Sequence, residues 1–377
     1  MKLVFYSLVL NHHQACVADE FYKLLGEDYV FVETARCMDN KGATEDYSTR
    51  PYLVRSWETK KAYEKAMSLA LNAEVCVFSG YEALPFEKAR MRKSLLSFDM
   101  GERILKRGML NLLSPRVIKM VIAYHLGAWG KKPIYKLCSG AFAASDQYKL
   151  KTFKGKCYKW GYFTKLKDFK NERLKFVQSD EKVHIMWCAR FIDWKHPELA
   201  VKIAKKLKSD GYNFQMNMYG DGKMKPTIHK LIDAFGLTDC VSLKGSKPNE
   251  QIQEAMADHD IFLFTSDEKE GWGVVVNEAM SSKCCLVASD MIGAVPFLIN
   301  DGYNGMVFKS RCEDSLYEKV KHLIDHPAER QMMAEQGHQD MSIFWSPGQA
   351  AANLLTLIKD IQNGQVSSIK EGPCSNL

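Results

Sequence analysis

The residues best suited to chemistry in this chain are two glutamates that bracket a glycine-rich turn. Glu270-Gly271-Trp272-Gly273-Val274-Val275-Val276-Asn277-Glu278-Ala279-Met280 follows the apolar run Ile261-Phe262-Leu263-Phe264 through a polar turn, Thr265-Ser266-Asp267-Glu268. The pattern predicts a buried strand, a turn, and a helix over residues 273–282 whose first turn is rich in glycine. Glycine there lets a ligand approach the backbone closely. Unpaired N–H groups and the helix dipole favour a diphosphate or a sugar hydroxyl oxygen. Glu270 and Glu278 stand eight residues apart, about 12 Å along a helix at ~1.5 Å per residue. That separation suits gripping two ends of one ligand better than the acid/base pair of a glycosidase. Carboxylates are natural acceptors for sugar and ribose hydroxyls.

The elements that must position these residues follow one grammar. Strand-like apolar runs alternate with helical patterns along most of the chain, the signature of parallel α/β layers. In the first half the strands are expected at 3–8, 29–33, 74–78, 94–98 and 134–138, with a helix from about 13 to 25. A lysine-rich stretch from about 149 to 180 reads as a last strand plus a linker. A second series then starts afresh, with strands at 183–188, 214–219, 241–243, 261–264 and 284–288. Helices are expected at 197–207, 313–324, 327–337 and 347–361. At 377 residues the chain is long enough for two domains, here 1–170 and 171–345. Residues 363–377 are polar with Gly, Ser and Pro and read as a flexible tail. In open α/β sheets ligands bind beyond the carboxyl ends of the strands.

The segment around Glu270 and Glu278 resembles the E-x7-E element of retaining glycosyltransferases of the GT-B fold, especially family four. In that family the first Glu contacts the donor sugar and the second the nucleotide ribose. Cys188-Ala189-Arg190-Phe191-Ile192-Asp193-Trp194-Lys195 is similar to the family's G-R-x-x-x-x-K element, with Ala189 in place of the usual Gly. Arg190 and Lys195 there neutralise the donor diphosphate, whose negative charge grows as it leaves. Gly220-Asp221-Gly222 matches the family's G-x-G turn. Leu243, Lys244 and Ser246 fall on the loop that cradles the base. Gly271, Trp272, Gly273 and Val274 complete the donor-binding candidates. Residues 293–296 and 301–305 match a later loop and turn, with Phe297 where relatives usually carry Glu. The resemblance covers about 182–308. It implies two Rossmann-like α/β/α domains facing across a cleft, and a terminal helix, 346–362, crossing back to the first.

The first half resembles the family only in layout. His12 and His13 follow the first strand where relatives have a glycine-rich loop. Asp99, Glu102 and Arg103 stand where many relatives place a catalytic-side His. These five are the acceptor-side candidates. Tyr124, His125 and Trp129 are read as core before groove.

Composition narrows the class. The chain is 46% hydrophobic, carries a net charge of +7, and has eleven cysteines without C-x-x-C pairs. Buried, reduced thiols are expected rather than a disulfide or metal framework. Residues 101–180 hold 18 Lys/Arg against 5 Asp/Glu, a one-sided charge that points to an anionic partner. Lys149, Lys151, Lys154, Lys156 and Lys159, with Phe153, Tyr158 and Trp160 among them, suggest peripheral docking on an anionic membrane surface. No stretch approaches the ~18 apolar residues of a membrane helix, and no nucleic-acid motif is present. A cytoplasmic enzyme is expected, peripheral on the inner face of a membrane. It would transfer a sugar with retention from a UDP-sugar, or secondly a GDP-sugar. The acceptor would be lipid-linked or a saccharide, in surface polysaccharide or glycolipid synthesis. The nucleotide sugar is the co-substrate; no cofactor and no metal are expected. A non-catalytic sugar-nucleotide-binding protein and a GT-B epimerase are the rival readings.

Overall fold

The computed structural model describes residues 1–36, 47–129, 132–166 and 182–377. The chain divides into two units, Met1–Lys165 with Phe344–Leu377, and Leu166–Ile343. The boundary expected at 170/171 lies outside the described residues.

The first unit runs β1 (Leu3–Ser7), α1 (His12–Leu25), β2 (Tyr29–Glu33), β3 (Leu53–Arg55), α2 (Lys60–Asn72), β4 (Val75–Ser79), α3 (Leu84–Arg92), β5 (Ser97–Gly101), β6 (Lys106–Met109), α4 (Pro115–Trp129), β7 (Ile134–Ser139), α5 (Ala141–Lys149) and β8 (Cys157–Trp160). Seven strands form one parallel sheet in the order β3-β2-β1-β4-β5-β7-β8. Its interior strand β1 is buried at every position, as a parallel strand covered on both faces must be. Asn11 caps α1, its side-chain oxygen accepting from the amides of His13 (3.1 Å) and Gln14 (3.2 Å). The strand expected at 94–98 begins at Ser97 instead. Buried Arg90 donates to the carbonyls of Ala70, Ala73, Glu74 and Leu96, and Ser94 turns left-handed at φ 52°, so the chain is still in a turn there.

The second unit comprises β9 (Val183–Cys188), α6 (Pro197–Ser209), β10 (Phe214–Tyr219), α7 (Lys225–Ala234), β11 (Val241–Gly245), α8 (Asn249–Ala257), β12 (Ile261–Phe264), α9 (Val275–Ser281), β13 (Cys285–Ser289), α10 (Val295–Leu298), β14 (Met306–Phe308), α11 (Glu313–Asp325) and α12 (Pro327–Ile343). Its six-stranded sheet has the order β11-β10-β9-β12-β13-β14. β9 is the first of these strands along the chain, and the sheet grows outward in opposite directions from between β9 and β12. A doubly wound sheet opens a ligand crevice at that switch point.

The chain then returns to the first unit. α13 (Pro347–Gln362) packs on α1. The stretch 363–377, expected as a flexible tail, is instead docked. Cys374 is fully buried. The Cys374 amide donates to the Lys159 carbonyl (2.7 Å) and the Lys159 amide to the Ser375 carbonyl (2.9 Å). β8 is a sheet edge with unpaired backbone groups, and the terminal segment satisfies them. Polar composition hid this because the pairing is made by backbone.

Candidate functional site

In the second unit the loops after β9, β10, β11 and β12 are laced together by backbone. The Phe191 amide donates to the Asp221 carbonyl (2.9 Å), that of Gly220 to Gly245 (2.9 Å), and that of Asp267 to Trp194 (3.0 Å). Gly220 has φ 124°, and a Cβ there would lie 2.0 Å from the Ala189 carbonyl oxygen. No other residue fits this crossing of two loops. The register between β10 and β11 shifts after Met218, so that Tyr219 pairs with Gly245 and Lys244 is bulged out. Leu243 is half-buried, while Lys244 and Ser246 are exposed.

At the switch point the two principal candidates meet. The Lys195 ammonium donates to the Glu270 carboxylate. The side chains are only 11% and 12% exposed. Lys195 also lies 4.4 Å from the Trp194 ring centre and 5.0 Å from that of Phe264. Burial pulls its pKa below the usual lysine range, against the opposing pull of Glu270. Arg190 is exposed, with its guanidinium 5.7 Å from the same Trp194 ring. One indole thus carries both expected diphosphate-binding cations.

The backbone of Lys195 is held by a residue the motifs did not mark. Thr265 receives the Trp187 indole N–H (2.9 Å) and donates to the Lys195 carbonyl (2.6 Å). His196 follows with φ 49°, its ring nitrogens 2.8 Å from Glu198 and 3.2 Å from Asp267. The Glu198 hydrogen bond, joined by Asp267, raises its pKa despite burial. Asp267 also accepts from Arg311 (2.7 Å). A polar residue directly after an all-apolar strand was the available signal for Thr265.

Glu278 is 3% exposed and accepts from Asn249 (2.7 Å), which in turn accepts from Gln253 (2.9 Å). Burial pushes its carboxyl up to about 7, against the lowering pull of Asn249 and Gln253. Gly273 has φ 90°, and its missing Cβ would lie 2.6 Å from Phe264 and 3.3 Å from the Glu270 side chain. The helix therefore starts at Val275, two residues later than expected, and Glu270 sits on the turn before it. Gly271 is buried and Val274 half-buried. Trp272 is fully buried and donates to Asn277 (2.8 Å), which makes its side chain a wedge beneath the turn.

Residues 168–340 match the sequence model of the family described as glycosyl transferases group 1. The alpha-D-kanosaminyltransferase of Streptomyces kanamyceticus is 29% identical over 182 residues, 48% of this chain and 47% of that protein. The Anabaena protein HepE in complex with UDP superposes with a TM-score of 0.71 at 14% identity, covering 97% of this chain and all of that one. The lipopolysaccharide outer core galactosyltransferase WaaB, in its apo form, does so with a TM-score of 0.72 at 12% identity, covering 96% and 100%. The chain has the GT-B fold, and its second unit matches the sequence model of the group 1 glycosyltransferases almost from end to end. The chain spans under half the length of the curated relatives it matches.

In the first unit, the acceptor-side candidates separate into two groups. Asp99 is spent in the core of the first unit. It pairs with buried Lys136, directly opposite on β7, and accepts from the Tyr124 hydroxyl (2.7 Å). Burial, with Asp99 close by, raises the pKa of neighbouring Glu87 well above the carboxylate range. Asp99 therefore has no free oxygen to offer an acceptor, and Tyr124 is core. Glu102 pairs with Lys106 and receives the Tyr162 hydroxyl (3.3 Å). Arg103 reaches Asp146 (3.4 Å) and lies 5.3 Å from the Phe142 ring. His12 and His13 open α1 with ring centres 3.6 Å apart. Burial, then His12, lowers the His13 pKa to about 3, so its imidazole is neutral at physiological pH. His13 and Gln14 line a small cavity with Phe5, Met100, Trp160 and Tyr162. The expected membrane-facing aromatics do not reach the surface: Phe153, Tyr158 and Trp160 are all buried. Among the described residues no helix is long and apolar enough to cross a membrane.

Proposed function

We propose that the chain transfers a sugar from a nucleoside-diphosphate sugar to a hydroxyl of a lipid-linked or saccharide acceptor, with retention and without a metal. UDP-sugar is favoured, since UDP is bound by the similarly folded HepE; GDP-sugar is second. The similarly folded WaaB is a lipopolysaccharide outer core galactosyltransferase, which supports a glycolipid or polysaccharide context. The observation that carries the reading is the Lys195–Glu270 pair beside Arg190 at the switch point of the second unit. With no donor bound, the anion-binding and hydroxyl-binding groups neutralise each other. A donor diphosphate takes Lys195 and Arg190 as its counter-charges. Glu270 is then released to accept from the donor sugar's hydroxyls, and Glu278 from the ribose.

In the reaction the acceptor oxygen forms a bond to the sugar's anomeric carbon on the face from which the diphosphate departs. The bond from that carbon to the β-phosphate oxygen breaks. The acceptor's proton passes to the departing phosphate, leaving a glycoside and a nucleoside diphosphate. Two fixed cations supply the charge stabilisation that a divalent ion gives elsewhere. A screen of nucleotide sugars by thermal shift, followed by nucleoside-diphosphate release with and without acceptor, tests the reading. A cognate donor at a hundredfold excess over its Kd stabilises by about 2.7 kcal/mol. Failure of every nucleotide sugar and nucleoside diphosphate to stabilise the chain refutes it.

A further inference from the structure

The first unit carries an apolar surface that its own fold leaves uncovered. Met109, Leu110 and Leu113 are 59%, 65% and 77% exposed. They sit on a turn that is built, not loose. The Arg107 amide donates to the Asn111 side chain (3.0 Å), which donates to the Ile104 carbonyl (2.8 Å). Gly108, at φ 62°, closes the turn onto Leu105 (2.9 Å). The chain then enters α4, where Ile118, Ile122 and Leu126 are 42%, 54% and 63% exposed. Their spacing of four places them in one stripe. The core side of the same helix is filled by Met120, Ala123 and Tyr124. A helix apolar on two sides, only one of them packed, leaves the other to a partner.

The charges around the stripe say which partner. Arg107, Arg116 and Lys119 are exposed among these side chains, and no Asp or Glu occurs between Arg103 and Ser145. A second copy meeting this face symmetrically would set the same cations against themselves. An anionic lipid surface satisfies both features, with headgroups pairing the cations and the acyl boundary receiving the apolar side chains. We infer that residues 106–126 dock the chain on an anionic membrane leaflet. The inference stands without the transfer reading, though it would place a lipid-linked acceptor within the first unit's reach.

The test is co-sedimentation of the full chain with vesicles of phosphatidylglycerol and phosphatidylcholine, and of phosphatidylcholine alone, at low and high salt. Wild type should bind the anionic vesicles, with binding weakened by salt and by removal of phosphatidylglycerol. Leu110→Glu/Leu113→Glu should abolish binding, and Arg116→Gln/Lys119→Gln should weaken it by on the order of tenfold. Lys149→Gln/Lys151→Gln/Lys154→Gln removes three cations from a segment whose aromatics are buried and should cost less. Unfolding midpoints and nucleoside-diphosphate affinity, read on the same samples, should match wild type, which separates this result from failure of the donor site. No binding to anionic vesicles at low salt overturns the inference. So does full binding by the Leu110→Glu/Leu113→Glu variant, or a dimer in sedimentation equilibrium that this variant dissolves while wild type ignores lipid.

Discussion

Lys195→Met separates the ion pair's part in stability from its part in ligand binding. The substitution keeps an unbranched stem between the Trp194 and Phe264 rings but leaves the Glu270 carboxylate, 12% exposed, without its counter-charge. Breaking a buried pair from one side costs about 3–5 kcal/mol. The residual exposure of both groups puts the expected loss near the lower end, about 3 kcal/mol. Glu270→Gln is milder, because a neutral amide still accepts from the ammonium. In the double variant most of the stability should return, since neither charge is stranded. The two losses are therefore strongly non-additive.

Binding should follow a different pattern from stability. Lys195→Met should weaken UDP by one charge-assisted hydrogen bond, about 1.5–3 kcal/mol, or roughly ten- to hundredfold. Uridine, without phosphates, should be unaffected. Glu270→Gln should bind UDP as tightly as wild type or more tightly, because no carboxylate then competes with the diphosphate for Lys195. The same variant should transfer sugar poorly. Calorimetric titration of UDP and uridine into the four proteins, with thermal unfolding in parallel, measures each quantity. Equal loss of UDP affinity in Glu270→Gln and Lys195→Met would mean that the pair only braces the loops. A parallel loss of uridine affinity in Lys195→Met would mean that the fold, and not the phosphate contact, had failed.

The remaining predictions are brief. The Glu278 carboxyl, raised by burial to about 7 from an unfolded value near ~4.3, is protonated in the folded chain and ionised in the unfolded chain between those values. Its unfavourable contribution is therefore absent below pH ~4.3 and complete above about 7, reaching about 3–4 kcal/mol. Glu278→Gln should accordingly stabilise the unliganded chain at pH 8 and change little at pH 4, read from unfolding midpoints, while weakening nucleoside binding. Gly220→Ala forces a Cβ against the Ala189 carbonyl and should cost at least ~2 kcal/mol together with UDP affinity. Asp99→Leu strands Lys136 in the core and should cost about 3–5 kcal/mol in denaturant unfolding without changing UDP affinity. Transfer, once a donor is found, should persist in a chelator; strict dependence on a divalent ion would contradict the role given to Arg190 and Lys195.

Both sheets were legible because parallel strands are written as short apolar runs between turn residues, and β1, β9 and β12 are such runs. Glu270, Glu278, Arg190 and Lys195 could be singled out as candidates because their spacing from those strands is local. What sequence did not show is pairing across distance. Thr265 holds the Lys195 carbonyl, and Asn249 holds Glu278, yet no local pattern joins either pair. Asp99 failed for the same reason. It follows a strand-like run, as an acceptor residue would, but its partner Lys136 lies opposite on a neighbouring strand.

Net charge misleads in a related way. It counts Lys136 and Lys106 as surface, although the first is buried and the second is paired with Glu102. It also favours the lysines of 149–159, whose interleaved aromatics point into the core. The apolar run of α4 reads as buried on composition, since nothing in a sequence says how many sides of a helix the fold will cover. The sheet and α3 cover one side of it. That leaves Ile118, Ile122 and Leu126 beside Arg116 and Lys119, an apolar stripe and cations on one face. Only the packed structure brings them together, which is why the membrane-docking reading moves from 149–159 to 106–126.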